Sequence, residues 1–356
     1  MRLLCTALAA VLVLATGCGD DEKPVSDPTP TPSATSTSTE PPPTSEPVEA
    51  TPLDWQPTGQ SVDERVIVGE RWTAISTETN VRFESATGAA DVAMPTSRSG
   101  SVFAVLLDGD TAVVSYAYGG ESIVGTGYRL DLAAGKRTKI VTPEPANGGD
   151  WALIDDSLYY PALDENQDAC LATLAVTDGN GEEGWCPPEL VGIAELEANE
   201  HGVAAMLFDY GSDISCRTLT LLDQAGVPQP VEGPAECKGW DIAATGTGII
   251  WSEVPRPKRQ ESAVFHALVD GAARELGAGT TGTLTTCGGD TFYVSDPLRQ
   301  SDPARLMRWD GTTLSVAYES KSKGNAFLGT PECADGIITI SSYGEDGDEQ
   351  VSANVA

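Results

Sequence analysis

One turn recurs along this chain at a nearly constant interval, and that recurrence restricts the fold more than any other feature. Asp131, Asp178-Gly179, Asp223, Asp270-Gly271 and Asp310-Gly311 are spaced by 47, 45, 47 and 40 residues. Asp-Gly between short apolar runs marks a hairpin, because both residues tolerate the positive φ that a tight two-residue turn demands. A weaker member spans Ser85 to Gly88, between Val81-Arg82-Phe83-Glu84 and the run from Ala89 to Met94.

A second series of turns runs in phase with the first. Leu107-Asp108-Gly109-Asp110 precedes Ala112-Val113-Val114, Ile154-Asp155-Asp156-Ser157 precedes Leu158-Tyr159-Tyr160, and Asn199-Glu200-His201-Gly202 precedes the run from Val203 to Phe208. The frame continues with Thr245-Gly246-Thr247-Gly248 before Ile249-Ile250-Trp251, Cys287-Gly288-Gly289-Asp290 before Phe292-Tyr293-Val294, and Cys333-Ala334-Asp335-Gly336 before the run from Ile337 to Ile340. Two tight turns and four short β-rich runs in about 45 residues describe a small sheet that cannot bury its faces until neighbours stack on both sides.

The expected fold is therefore all-β, a β-propeller of seven four-stranded blades over residues 53–356, with six blades as the alternative because the first unit is the least regular. If strands A to D are counted from the axis outward, the last unit supplies A, B and C and stops at Val355-Ala356. Residues near Leu53-Asp54-Trp55 are then expected to supply the missing outer strand and close the ring. A β-sandwich does not explain so long a series at one period. A helix over Glu189 to Met206, suggested by Leu190, Ile193 and Leu196, conflicts with Gly192 and with the repeat frame. The region resembles WD40-like and TolB-like propellers in period and blade pattern only. Trp309-Asp310 falls at a C-to-D turn and Trp240-Asp241 at the start of an A strand, so no repeated Trp-Asp signature exists and no functional residue carries over.

The N-terminus has a different grammar. A short apolar run from Leu3 to Leu14 follows Arg2 and ends in Leu14-Ala15-Thr16-Gly17-Cys18. This is signal-peptide anatomy, too short for a permanent membrane helix. The segment resembles bacterial lipoprotein signals, with Ala15 where leucine is commoner. The resemblance implies removal of residues 1–17, a diacylglycerol thioether on Cys18, and attachment to the extracytoplasmic face of the bacterial membrane. Residues 18–52 are rich in Pro, Thr, Ser and Glu, include Pro41-Pro42-Pro43, and carry no periodic apolar residue. They are expected to form a disordered tether with a reach of roughly 100 Å or less.

Cysteine usage agrees with export. With Cys5 in the signal and Cys18 lipidated, six cysteines remain. Cys170 and Cys186 flank one outer turn, Cys216 and Cys237 repeat the arrangement one blade later, and Cys287 and Cys333 occupy matching positions 46 residues apart at adjacent inner strands. The expected pairing is Cys170–Cys186, Cys216–Cys237 and Cys287–Cys333. No close Cys-x-x-Cys pair supports a metal site.

Charge restricts the partners. Twenty-one Lys and Arg against 53 Asp and Glu leave a net charge of −32, which argues against nucleic acid and anionic lipid surfaces. Against that background Arg256, Lys258 and Arg259 form a basic B-to-C loop in the fifth blade, and Arg299 and Arg305 are assigned to the equivalent loop of the sixth. The B-to-C loops and D-to-A connections share one face of a propeller, and these five residues are the candidate binding face. Asp164, Asn166 and Asp168 alternate oxygen ligands like the start of a calcium loop, but Ala169 replaces the turning glycine and Ala175 the closing carboxylate. No other cofactor is expected. Gly277-Ala278-Gly279-Thr280-Thr281-Gly282 matches a dinucleotide pattern but opens no helix.

The chain has only two histidines, His201 in an A-to-B turn and His266 in a C strand. The expected function is noncatalytic: a monomeric, lipid-anchored propeller that binds a protein, peptide or cell-envelope ligand. The alternative is a carboxylate-dependent hydrolase or lyase at the channel mouth, which would require carboxylates with shifted pKa values converging on an axial pocket.

Overall fold

The computed structural model describes residues 48–94, 100–119, 122–209, 211, 215–256, 259 and 262–355. Cys18, the segment expected as a tether up to residue 47, and Lys258 lie outside them. The described residues form seven sheets, antiparallel except for one short strand added to blade 6, and contain no helix. The seven-bladed propeller is therefore the fold. The region from Glu189 to Met206, with its helix-like spacing, is a hairpin of Val191–Asn199 and Gly202–Asp209.

The inner strands, from blade 1 to blade 7, are Arg65–Val68, Gly100–Asp108, Ala152–Ile154, Val191–Asn199, Gly239–Thr245, Thr285–Cys287 and Glu332–Ala334. Second strands such as Thr111–Tyr118 and Gly248–Glu253 are buried along most of their length. That explains their near-continuous apolar runs: a blade is covered on both faces, so alternation is lost. The core clusters span neighbouring blades. One joins Trp72 and Phe83 of blade 1 to Val105 and Val114 of blade 2, and another joins Phe265 of blade 5 to Tyr293 and Trp309 of blade 6.

Ring closure occurs where the incomplete last unit predicts it. Gln56–Pro57 pairs antiparallel with Glu349–Asn354, placing Gln56 opposite Ser352. Just before it, the Trp55 Nε1–H donates to the Ala317 carbonyl at 2.8 Å and the indole meets Tyr318 edge-on at 5.3 Å. Glu49–Ala50, within the stretch expected as tether, adds in parallel to the outer strand Leu314–Lys323 of blade 6. Backbone pairing at a sheet edge needs no apolar side chain, so composition does not reveal it.

The six cysteines form the disulfides Cys170–Cys186, Cys216–Cys237 and Cys287–Cys333, the pairs read from the turns. The dinucleotide-like glycines are structural. Gly277 and Gly279 end the outer strand Ala272–Gly279, where a Cβ on Gly279 would come within 2.5 Å of the Phe265 ring.

Candidate functional site: a carboxylate-lined axial cavity

Seven inner strands converging on one axis leave a cavity of about 860 Å³ between them. Eleven carboxylates line it, against a single arginine, Arg65. That arginine is already paired, Nε to Glu332 Oε1 at 2.5 Å and Nη2 to Oε2 at 2.9 Å. The acidic composition of the chain thus extends to its centre.

Bulges aim the side chains of the upper half, the half nearer the B-to-C loops. Three inner strands slip register there: between Val102 and Ala104, between Ala194 and Glu197, and between Gly239 and Ile242. The extra residues are Phe103, Glu195 with Leu196, and Trp240 with Asp241. A bulge frees backbone N–H groups from the ladder and turns side chains away from their regular face. Polar side chains take up those N–H groups. The Glu195 N–H donates to Asp150 Oδ2 at 2.5 Å, and the Asp241 N–H donates to the Ser252 hydroxyl oxygen at 3.0 Å.

The result is a seam of carboxylates stitching blades 3 to 6 together at the axis. Asp150 of blade 3 accepts from the Glu195 backbone of blade 4, and Glu195 Oε1 accepts from the Trp240 indole of blade 5 at 2.8 Å. Asp241 Oδ2 accepts from the Ser252 hydroxyl at 2.5 Å, while its Oδ1 accepts from the Gly282 N–H of blade 6 at 2.8 Å. Glu197 Oε1 accepts the Thr286 N–H at 2.9 Å and its hydroxyl at 2.5 Å.

Burial dominates the electrostatics of this seam. It pushes Glu197 up to about 7 despite the Thr286 hydrogen bonds. Burial, with the neighbouring Asp241 and Asp150 charges, raises Glu195, and burial raises Asp241 and Asp150 as well. Desolvation disfavours the charged carboxylate, and like charges at close range deepen the effect. At the opposite end Asp335 accepts the Gly109 N–H at 2.9 Å and the Glu70 N–H at 3.0 Å, and burial with Asp335 and Asp155 nearby raises Asp108.

The candidates read from the sequence lie elsewhere. Arg256 and Arg259 are exposed in the blade 5 loop and Arg299 in the blade 6 loop. Arg305 is not in that loop: it belongs to the strand Pro303–Trp309 and its Nε lies 2.8 Å from Glu319 Oε1. The acidic run before Ala169 closes on itself, with Asp164 Oδ1 accepting the Asn166 and Asp168 N–H groups at 2.8 Å. Among the described residues the only converging trio of ligand-type atoms is Cys170, Glu183 and Cys186, and its two sulfurs are joined in a disulfide. His201 sits beside Glu200 in its turn, and His266 stacks on Trp251 at 5.2 Å. Asp150, Glu195, Glu197 and Asp241 were not singled out from the sequence. The one signal for them was Trp240-Asp241 at the start of an inner strand, a charge where burial is deepest.

The face around the upper mouth has a second property. Seven large apolar side chains are exposed among the described residues, and six of them are Phe103, Ile123, Val141, Leu190, Leu298 and Phe327. All six lie in B-to-C loops, D-to-A connections or the upper end of an inner strand. The seventh, Val48, begins the described chain, beside the lower end of blade 6.

No protein-family model matches the chain, and no curated protein is similar to it in sequence. Among solved structures it is similar to the β-propeller domain of the Trilobed protease from Pyrococcus furiosus, at 12% identity and a TM-score of 0.58 over 82% of this chain and 94% of that one. It is similar to a prolyl endopeptidase at 14% identity and a TM-score of 0.54, covering 82% of this chain and 47% of that one. An oligogalacturonate lyase in complex with manganese matches at 13% identity and 0.52 over 87% and 98%. Likenesses this distant in sequence show the β-propeller fold and nothing finer.

Proposed function

We propose that this protein is a noncatalytic binding module, held by lipidated Cys18 on the extracytoplasmic face of the membrane, whose B-to-C and D-to-A face receives a protein, peptide or cell-envelope ligand. The observation that carries the reading is the confinement of exposed large apolar side chains to that face. Scattered apolar residues are ordinary on a protein surface, whereas concentration on one face marks contact with something else. Photo-crosslinking groups at Leu298 and Val141, and at Lys136 in the opposite C-to-D turn region, test it in membranes. Crosslinks from the first two and none from Lys136 support the reading. Equal yields from all three positions, or an unmodified Cys18 by mass spectrometry, count against it.

A second reading is favoured by one observation. Glu195 and Asp241 are neighbouring carboxylates with raised pKa values in a concave cavity, the arrangement a carboxylate-dependent hydrolase or lyase requires. Against it, Asp241, Asp150 and Glu197 already accept hydrogen bonds that join blades. Turnover of a peptide or polysaccharide that disappears in Glu195→Gln while the fold persists would establish the enzyme in place of the binding module.

A further inference from the structure

Three features meet at the upper mouth of the axial cavity. Phe103, the bulged residue of blade 2, lines the cavity and is 40% exposed. Tyr343 of blade 7 also lines it, and Phe327, 55% exposed, stacks on Tyr343 at 4.7 Å with the rings nearly parallel. Below these rings lie the carboxylates of Asp150, Glu195 and Asp241, and the sole lining arginine is held by Glu332. Folding does not require an exposed phenylalanine at either place. Aromatic faces above a wall of buried carboxylates hold a guanidinium or ammonium group, by ring quadrupole and by Coulomb attraction to carboxylates that an entering cation favours in their ionised form.

The described chain begins at the other end of the molecule, where Glu49 lies opposite Ser315 near the start of the blade 6 outer strand. The remaining exposed apolar side chains, Ile123 and Leu298 in the B-to-C loops of blades 2 and 6 and Val141 and Leu190 in the connections into blades 3 and 4, lie on the same face outside the cavity lining and extend the contact beyond one side chain.

We propose that the upper mouth docks a polypeptide segment of the partner that carries arginine or lysine flanked by apolar side chains, the cation entering the cavity and the apolar neighbours resting on the aromatic rim. The proposal rests on the binding-module reading above and names the chemistry of its ligand. A polypeptide fits better than a small amine because the apolar positions reach across several blades.

The test is titration calorimetry of the full-length protein in detergent with a short synthetic peptide alternating Arg and Leu. Its counterpart alternating Glu and Leu, and free arginine amide, serve as comparison probes. The Arg-Leu peptide is expected to bind, to weaken about tenfold in Phe103→Ser and in Phe327→Ser, and to weaken as salt is raised. Val48→Ser, at the other end, is expected to leave binding unchanged. Near-ultraviolet circular dichroism confirms that each variant keeps its packing. Four results would each overturn the inference: no binding of the Arg-Leu peptide, equal binding of the Glu-Leu peptide, unchanged affinity in both Ser variants, or arginine amide binding as tightly as the peptide. If peptide binding fails while crosslinks from Leu298 and Val141 persist, this inference falls and the binding-module reading stands. Loss of those crosslinks removes the reading itself.

Discussion

Individual residues carry two measurable consequences. Glu197 holds its proton up to about 7 in the folded protein, against 4.5 for the free side chain. A carboxylate raised on folding contributes stability that is complete below its unfolded pKa and is lost as pH rises through the folded value. The melting temperature is therefore expected to fall between about pH 5 and about pH 8, and Glu197→Gln should flatten that fall in thermal melts across the window. Glu64, lowered by its hydrogen bond to Arg82, acts in the opposite sense and only in more acid solution. At Gly279 the expectation is steric. Phe265 and Tyr293 stack 3.9 Å apart beside it, and a Cβ there would lie 2.5 Å from one ring and 2.9 Å from the other. Gly279→Ala should cost about 1–3 kcal/mol in denaturant unfolding, the usual range for overpacking a filled core. The glycine pattern is plain in the sequence, but its cause is a ring from another strand.

At the scale of the element, closure and crosslinks are the informative features. Gln56–Pro57 is only two residues long, yet it covers the edge of Glu349–Asn354 and seals the ring. Deleting residues 48–58 should expose that edge, lower stability, and produce concentration-dependent association detectable by light scattering. The incomplete last unit made this strand predictable, because a propeller with one three-stranded blade leaves an unpaired edge. The Cys287–Cys333 disulfide joins the inner strands of blades 6 and 7 across 46 residues. Its removal by double Cys→Ala substitution should cost on the order of 4 kcal/mol by loop-entropy arguments, more than loss of Cys170–Cys186 with its shorter loop. Equilibrium unfolding of the two variants checks the order. The inner-strand bulges, by contrast, left no readable signal: a register slip is decided by what must pack beside the strand. Arg305 shows the same limit, since the strand begins at Pro303 and takes it out of the loop.

For the whole molecule, charge is the governing quantity. A net charge of −32, with eleven carboxylates around one axis, makes self-repulsion a standing cost of the compact state. Raising salt from about 0.05 M to about 0.5 M should increase the melting temperature by screening that repulsion, and calorimetric scans would show it. The all-β class, a count of seven units with six as its rival, the outer turns, the disulfide pairs and the place of ring closure are legible in the sequence by itself. Those depend on local turn chemistry and on counting, and both are written along the chain. Tertiary structure decided which of 53 acidic side chains face the axis, how their hydrogen bonds cross from blade to blade, and that six exposed apolar residues share one face. Asp150, Glu195 and Asp241 are far apart in sequence and become neighbours only when blades 3, 4 and 5 stack about the axis. Their burial, and hence their chemistry, is a property of the stacked blades.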